Sequence, residues 1–154
     1  MTMPTHPPRV AIVAGQFHRE IATAMVEAAA AAIKEAGAQL VETLWVAGSY
    51  EAPLAVQTLL RDPGVDVVVV LGYIERGETL HGEVMGHVVH RALVELSLRY
   101  EKPVGMGIIG PGATAEQAHA RKIAYAQAAV RAALGLHATL AARKGAAPLD
   151  HSGR

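Results

Sequence analysis

The 154-residue sequence contains no cysteine, which excludes disulfides, thiolate metal sites, iron–sulfur clusters and cysteine nucleophiles. A surplus of positive charge is also missing, because 14 Lys and Arg residues balance 14 Asp and Glu residues. No apolar run approaches the roughly 20 residues of a membrane span, and residues 1–8 lack the apolar segment of a signal peptide. We therefore expect a cytoplasmic protein with neither nucleic acid nor a membrane as its partner.

Charged residues are few in relation to apolar ones. They make up 18% of the chain, against about 25% in an average soluble domain, while apolar residues make up 51%. Alanine is concentrated in residues 28–32 and 118–129. High helix propensity alone would explain these alanines, but the shortage of charge favours helices that pack against neighbouring subunits.

Short apolar runs alternate along the chain with longer segments of helical periodicity. Strands are predicted at residues 9–15, 40–46, 65–71 and 104–109, and helices at 20–36, 53–61, 81–100 and 114–140. The last helix opens on Thr114-x-x-Gln117, a capping box. We expect a single domain at 9–140, a flexible N-terminal segment at 1–8 and a loose C-terminal tail at 141–154.

Alternation of strand and helix predicts an α/β fold, a parallel sheet with right-handed crossovers and helices on both faces. Ligands of such folds bind outside the carboxyl ends of the strands. Four predicted loops lie there, at residues 15–18, 47–51, 72–81 and 110–113. We expect the functional site to be built from these loops.

Gly105-x-Gly107-x-x-Gly110 matches the glycine pattern of a dinucleotide-binding turn by letter. Its glycines begin inside the fourth predicted strand, however, and no predicted helix starts at the third glycine. No acidic residue lies near position 130 to bind a ribose. We therefore do not expect a nucleotide phosphate site here.

The segment Arg76-Gly77-Glu78-Thr79-Leu80-His81 joins the third predicted strand to a helix. Backbone N–H groups at a helix start favour an anion, and the Thr79 hydroxyl adds a donor, although an ordinary N-cap explains the same residues. His81 stands at the positive end of the helix dipole, which favours a neutral imidazole that can accept a proton. It is the candidate proton-transfer group, and an ordinary surface histidine is the alternative.

Aromatic and acidic side chains follow the first two strands. Phe17, the only phenylalanine, would stack on a flat heterocycle, although a core position would suit it equally. Tyr50 and Glu51 follow the second strand, where a carboxylate would accept hydrogen bonds from a polyol or a ring N–H. A glutamate at a helix start is also common for electrostatic reasons alone.

Four segments near the predicted strand ends form a combination that is more specific than any one of them. They are Gln16-Phe17-His18, Gly48-Ser49-Tyr50-Glu51-Ala52-Pro53, Leu71-Gly72 through Gly77-Glu78-Thr79-Leu80-His81, and Glu116-Gln117-Ala118-His119-Ala120-Arg121. The combination resembles the lumazine synthase family over residues 9–136, and Gly110-Pro111-Gly112-Ala113-Thr114 looks closest to its archaeal form. This resemblance implies a flavodoxin-like three-layer αβα sandwich around a four-stranded parallel sheet.

The resemblance also implies a reaction. The family condenses 5-amino-6-(D-ribitylamino)uracil with 3,4-dihydroxy-2-butanone 4-phosphate to 6,7-dimethyl-8-ribityllumazine in riboflavin biosynthesis, as a transferase without metal or organic cofactor. Amine attack on the ketone, Schiff-base formation, phosphate elimination and ring closure would follow one another. The implied assembly is a homo-oligomer, a pentamer or a multiple of pentamers, with active sites between subunits.

The resemblance carries roles over to individual positions. His81 would be catalytic and shuttle protons. The substrate-binding residues would be Phe17 on the pyrimidine ring, Tyr50 and Glu51 on the ribityl chain, and Ser49, Ile74, Glu75 and Met106 in the pocket. The phosphate-binding residues would be Glu78, Thr79, Gln127 and Arg121, the last arriving from a neighbouring subunit with a guanidinium fork that meets two oxygens at once.

Four positions depart from the family pattern. Ala47-Gly48 stands where Pro-Gly is common, Met106 replaces a common phenylalanine, and Gln127 falls near a phosphate-binding lysine. Glu75 stands where an apolar residue usually touches the ring, and burying its carboxylate would be costly without a partner. Glu75 therefore indicates either a modified substrate preference or a side chain directed to solvent.

Three alternatives to a synthase follow from these residues. The departures suggest a paralogue that binds lumazine or flavin without turnover, or an enzyme for a related amine–carbonyl condensation. Glu83, His87 and His90 recur at i, i+4 and i+7 on one helix face, a spacing that would suit a divalent metal. No fourth ligand accompanies them in the sequence pattern, so the main prediction is a protein without a metal.

Overall fold

The computed structural model describes residues 6–145 of the chain. Its elements are β1 (Arg9–Gly15), α1 (Arg19–Glu35), β2 (Gln39–Val46), a short 3-10 helix (Ser49–Glu51), α2 (Ala52–Arg61), β3 (Val67–Glu75), α3 (His81–Tyr100), β4 (Val104–Ala113) and α4 (Ala115–Gly145). The strands pair in parallel in the order β2-β1-β3-β4. The predicted parallel sheet with alternating helices is confirmed.

Two apolar cores cover the two faces of this sheet. Val10, Ile12 and Ala14 of β1 pack on one face with α1 and α4, whereas Ala11 and Val13 pack on the other with α2 and α3. The alternation follows from the two-residue period of a strand, and both sets are fully buried because helices cover both faces. The three-layer αβα sandwich is therefore confirmed, with the strand order of a flavodoxin-like sheet.

The last two strands extend further than the sequence predicts. β3 continues to Glu75 and β4 to Ala113, so the predicted loop at Gly110-Pro111-Gly112 belongs to the end of a strand. Tyr73 pairs with Ile109 and Glu75 with Ala113, with a register shift between the two pairs. Pairing between neighbouring strands outweighs the local preference of glycine and proline for a turn at this point.

The start of α4 agrees with the prediction, whereas its end does not. The Thr114 N–H donates to Gln117 Oε1 at 3.0 Å and the Gln117 N–H donates to Thr114 Oγ1 at 3.2 Å, which is the predicted capping box. The helix continues past Leu140 to Gly145, so residues 141–145 are helical rather than a loose tail. Residues 146–154 of that predicted tail, and residues 1–5 of the N-terminal segment, lie outside the described residues.

None of the helices within residues 6–145 is both long and apolar enough to cross a membrane.

The glycine pattern of β4 serves close packing. A Cβ atom on Gly105 would lie 2.6 Å from the Ala129 carbonyl oxygen of α4, and one on Gly107 would lie 2.9 Å from the Val70 carbonyl oxygen of β3. Both are backbone atoms, which cannot move without displacing a whole element. The glycines therefore let α4 approach the sheet, and no helix starts at the third glycine, Gly110.

Gly105→Ala is expected to lower the free energy of unfolding by about 1–3 kcal/mol, the usual cost of overpacking. Gly135→Ala is the matched control in α4, because nothing lies within 4 Å of a Cβ there and alanine favours a helix by roughly 1 kcal/mol. Urea unfolding measures both variants. A Gly105→Ala protein as stable as the parent would contradict the close contact with Ala129.

Arg9 and Asp66 join β1 to the start of β3 at the amino-terminal edge of the sheet. The Arg9 backbone N–H and guanidinium Nε donate to Asp66 Oδ2 at 2.8 and 3.1 Å. Burial acts to raise the pKa of Asp66, but the hydrogen bonds and charge of Arg9 outweigh it and hold that pKa below its ordinary value. The pair therefore stabilises the fold above the unfolded pKa of about 3.9, and this contribution is lost as pH falls through the lower folded value.

Asp66→Asn is expected to destabilise the protein by about 1.5–3 kcal/mol at neutral pH, the range for a hydrogen bond to a charged group. The melting temperatures of the parent and variant should differ most at neutral pH and converge as the pH falls below about 4. Thermal unfolding followed by circular dichroism across this pH range measures the effect. Curves that stay parallel over the whole range would contradict the ion pair's contribution.

Candidate active site

The carboxyl ends of the four strands lie at one edge of the sheet. Because β2 lies on one side of β1 and β3 on the other, the chain changes direction between β1 and β3, and ligands of such folds bind at this switch point. The segments after these strands meet there. A Cβ on Gly15 would lie 3.7 Å from Gly48, and one on Gly72 would lie 3.8 Å from Ser49 Oγ.

His18 lies at the switch point, between the ends of β1 and β3. Its Nε2 lies 3.1 Å from Glu75 Oε2, and its ring centroid lies 4.7 Å from that of Phe17 and 5.0 Å from that of Tyr73. Phe17 is 51% exposed, so the core alternative is wrong for this residue. Its ring is therefore accessible to a flat ligand.

Tyr73 lies beneath His18, and sequence analysis missed it because β3 was predicted to end before it. It is buried, and its hydroxyl donates to the Ala113 carbonyl oxygen at 2.8 Å. Burial, and then the carboxylate of Glu75, raise the pKa of Tyr73, so the hydroxyl stays protonated and keeps this bond. The only sequence signal was a tyrosine close to the end of an apolar strand.

The short 3-10 helix brings the segment after β2 toward α3. The Tyr50 ring lies edge-on to the His81 ring, with centroids 6.1 Å apart. Tyr50, Glu51 and His81 are exposed, whereas Ser49 is buried. The structure therefore brings the predicted ribityl-binding and proton-transfer side chains together at the mouth of the crevice.

The segment between β3 and α3 forms a surface groove of about 440 Å³, which we call the loop groove; it is lined by residues 75–80, 82 and 83 with Pro111 and Gly112. Glu78 and Thr79 lie along it. Leu80, the residue before α3, makes no side-chain capping bond, and Thr79 Oγ1 lies 3.4 Å from the His81 nitrogen, which is long for a hydrogen bond. The ordinary N-cap interpretation is therefore weak, and the helix start keeps N–H donors for an anion.

Four further predicted site residues, on β3, β4 and α4, do not line the loop groove of the same chain. Ile74 is buried in the core toward α2 and α3. Met106 lies on the edge strand β4, in a second groove of about 440 Å³ between β4 and α4, which we call the edge groove. Arg121 and Gln127 lie on α4 and line neither groove. Ile74 nevertheless lies beside the start of α3, because its Cγ2 would be 3.3 Å from a Cβ on Gly82. Met106, Arg121 and Gln127 share no groove with the start of α3 in one protomer.

Glu83, His87 and His90 do not form a metal site in the described part of the chain. His90 Nδ1 lies 2.7 Å from the Gly86 carbonyl oxygen of its own helix. Residues 6–145 contain no group of three His, Cys, Asp or Glu side chains that could hold a metal ion. The described residues therefore give no support to the competing hypothesis of a metal site.

The fold and the site define an α/β protein with a ligand crevice at the switch point of a flavodoxin-like sheet, with aromatic and polar side chains at its mouth. Sequence comparison then gives the family. The profile of the 6,7-dimethyl-8-ribityllumazine synthases matches residues 7–141, and the chain belongs to this family.

Individual relatives carry the same name. The 6,7-dimethyl-8-ribityllumazine synthase of Methanopyrus kandleri is 43% identical over 126 residues, which cover 82% of this chain and 89% of the relative. Those of Metallosphaera sedula and Staphylothermus marinus are each 41% identical, covering 82% and 80% of this chain and 83% of each relative. The predicted resemblance to the archaeal form of the family is thereby confirmed.

Proposed function

We propose that this protein condenses 5-amino-6-(D-ribitylamino)uracil with 3,4-dihydroxy-2-butanone 4-phosphate to give 6,7-dimethyl-8-ribityllumazine, the step of riboflavin biosynthesis that its family name describes. The observation that carries the proposal is the contact between the Tyr50 and His81 rings at the start of α3, with the exposed ring of Phe17 following the neighbouring strand β1 at the same edge of the sheet. The reaction takes place in the cytoplasm, consistent with a chain that has no cysteine.

The two substrates divide the crevice between them. The pyrimidine stacks on the exposed ring of Phe17, and its ribityl chain runs toward Tyr50 and Glu51. The phosphate occupies the start of α3, where backbone N–H groups and the Thr79 hydroxyl donate hydrogen bonds. Glu78 contributes its backbone there, because its carboxylate would repel the anion.

His81 transfers protons between these two subsites. The 5-amino group attacks the C2 ketone carbonyl and water leaves to form an imine. Loss of a proton from C3 then expels phosphate from C4, the resulting enol becomes a ketone at C3, and the ribitylamino nitrogen attacks this new carbonyl with loss of a second water. Each step needs a proton moved over a short distance, which an exposed imidazole beside Tyr50 can do. Holding both reactants in place supplies the larger part of the acceleration, roughly 7–11 kcal/mol.

Neighbouring copies of the chain complete each site in a homopentamer or a multiple of pentamers. Met106 and Arg121 do not line the loop groove of their own protomer, which supports a role toward a neighbour. The edge groove is apolar, lined in part by Met106, Tyr125 and Leu136. Large apolar side chains are exposed elsewhere, among them Leu54 and Leu98 at 72% each, and such surfaces mark contacts between proteins.

Incubation of the purified protein with both substrates tests the proposal, with lumazine absorbance as the readout and each substrate omitted in turn as the control. Turnover that survives a chelator is expected. No turnover at high enzyme concentration would refute the synthase, and product binding without turnover would favour the non-catalytic paralogue. The mass measured by analytical ultracentrifugation tests the assembly, and a stable monomer would refute the shared site.

A further inference from the structure

One polar contact crosses the switch point of the sheet. His18 follows β1 and Glu75 ends β3, and their side chains meet with Nε2 and Oε2 3.1 Å apart. The two side chains are 33% and 41% exposed, so the pair lies at the mouth of the crevice rather than in the core. The contact joins two strand ends that are 57 residues apart in the chain.

The position of the His18 ring is set by its contacts with Tyr73 and Glu75 rather than by its own backbone preference. Its φ of 51° and ψ of 62° lie in the left-handed region, and its side chain makes no capping bond to α1, so local preference does not fix the residue. The ring contacts Tyr73, whose hydroxyl is bound to Ala113. Glu75 supplies a hydrogen-bond partner for the imidazole on the crevice side.

The Phe17 ring packs perpendicular to this ring. The Phe17 and His18 ring planes make an angle of 85° at a centroid distance of 4.7 Å, a favourable edge-to-face arrangement. About half of Phe17 is nevertheless exposed. The orientation of Phe17 therefore depends on where the His18 ring is held, and this depends on the carboxylate of Glu75.

We propose that Glu75 is a positioning residue, which holds His18 by a hydrogen bond across the switch point and so orients Phe17 for stacking on the pyrimidine substrate. This inference rests on the proposed function for the identity of the stacked ring. The claim that Glu75 orients Phe17 in the unliganded protein does not depend on the proposed function. The expected consequence is an effect on the binding of one substrate and not on the chemical step.

Fluorine NMR tests the orientation without any substrate. Because the chain has a single phenylalanine, incorporation of 4-fluorophenylalanine places one fluorine at position 17 of the full-length protein. Glu75→Ala should shift and broaden this resonance, while Glu75→Gln, whose amide oxygen still accepts from the imidazole N–H, should keep it near the parent position. Glu95→Ala is the matched control, because it removes an exposed carboxylate bonded to Arg91 at 3.0 Å on α3, and should leave the resonance unchanged.

Steady-state kinetics test the consequence. Glu75→Ala should raise the KM for the ribitylaminouracil about 3- to 10-fold, the range of an aromatic stacking contact, with kcat and the KM for the phosphoketone within about twofold of the parent. Glu75→Gln should restore the parent KM. An unchanged fluorine resonance in Glu75→Ala, a loss confined to kcat, or a Glu75→Gln variant that behaves like Glu75→Ala would each overturn the inference. A parent protein without turnover would refute the proposed function, and the fluorine experiment would still decide whether Glu75 orients Phe17.

Discussion

Replacing Arg121 by alanine should raise the KM for the phosphate-bearing ketone by about 10- to 100-fold, since hydrogen bonds to charged groups contribute about 1.5–3 kcal/mol. Arg121 is exposed near the start of α4 and does not line the loop groove of its own chain. The proposed contact of its guanidinium with the phosphate is therefore expected to come from a neighbouring protomer. The KM for the ribitylaminouracil and the value of kcat should change little.

Two further variants separate the roles of charge and geometry. Arg121→Lys keeps the charge but loses the planar fork, so its KM should lie between those of the parent and of Arg121→Ala. Arg131→Ala removes an exposed arginine further along α4 and should leave both KM values unchanged. Initial rates at varied phosphoketone concentration give these constants. An Arg121→Ala enzyme with the parent KM would refute the proposal that Arg121 binds the phosphate.

His81→Ala should lower kcat by about 10- to 100-fold, at the low end of the range for a general acid–base group. Activity should remain substantial, because the bound substrates stay next to each other and proximity supplies most of the acceleration. Both KM values should stay within a few-fold of the parent, since the imidazole lies beside Tyr50 at the mouth rather than in a buried contact.

The control for this substitution is His87→Ala. His87 is exposed on the same helix, more than one turn further along, and its removal should leave kcat unchanged. Single-turnover measurements, with enzyme in excess over the ribitylaminouracil, separate chemistry from product release. If His81→Ala instead prevented the subunits from assembling, the residue would be structural and the proton-transfer role would be refuted.

Local sequence signals predict most of the secondary structure because strong periodicity and caps determine it. The bounds of α3 agree with the structure, and so does the capping box at Thr114 and Gln117. The ends of β3 and β4 were wrong because the Arg76 N–H donates to the Ala113 carbonyl oxygen, and a bond between distant segments leaves no local signal. α4 continues past Leu140 because residues 141–144 are good helix formers, although the apolar periodicity stops.

The candidate site was predictable as a set of segments but not as a set of contacts. The rule for strand carboxyl ends located Phe17, Tyr50 and His81, and the structure brings the last two together. The contact between His18 and Glu75 requires knowing that β1 and β3 are neighbours, which periodicity does not reveal. Arg121 and Met106 could be linked to the site only through the family resemblance, and their roles stay predictions.

The uneven carboxyl edge of the sheet bears on attempts to redirect the enzyme to other heterocycles. β1 pairs with β3 only as far as Leu71, whereas β3 and β4 remain paired as far as Glu75 and Ala113. The side of the crevice next to β3 and β4 is therefore built from paired main-chain atoms that no substitution removes. The side that follows β1 and β2 carries the exposed rings of Phe17 and Tyr50. Directed evolution toward bulkier or smaller heterocyclic substrates has most freedom at Phe17 and Tyr50, where a substitution changes the shape of the crevice without breaking the pairing of two strands.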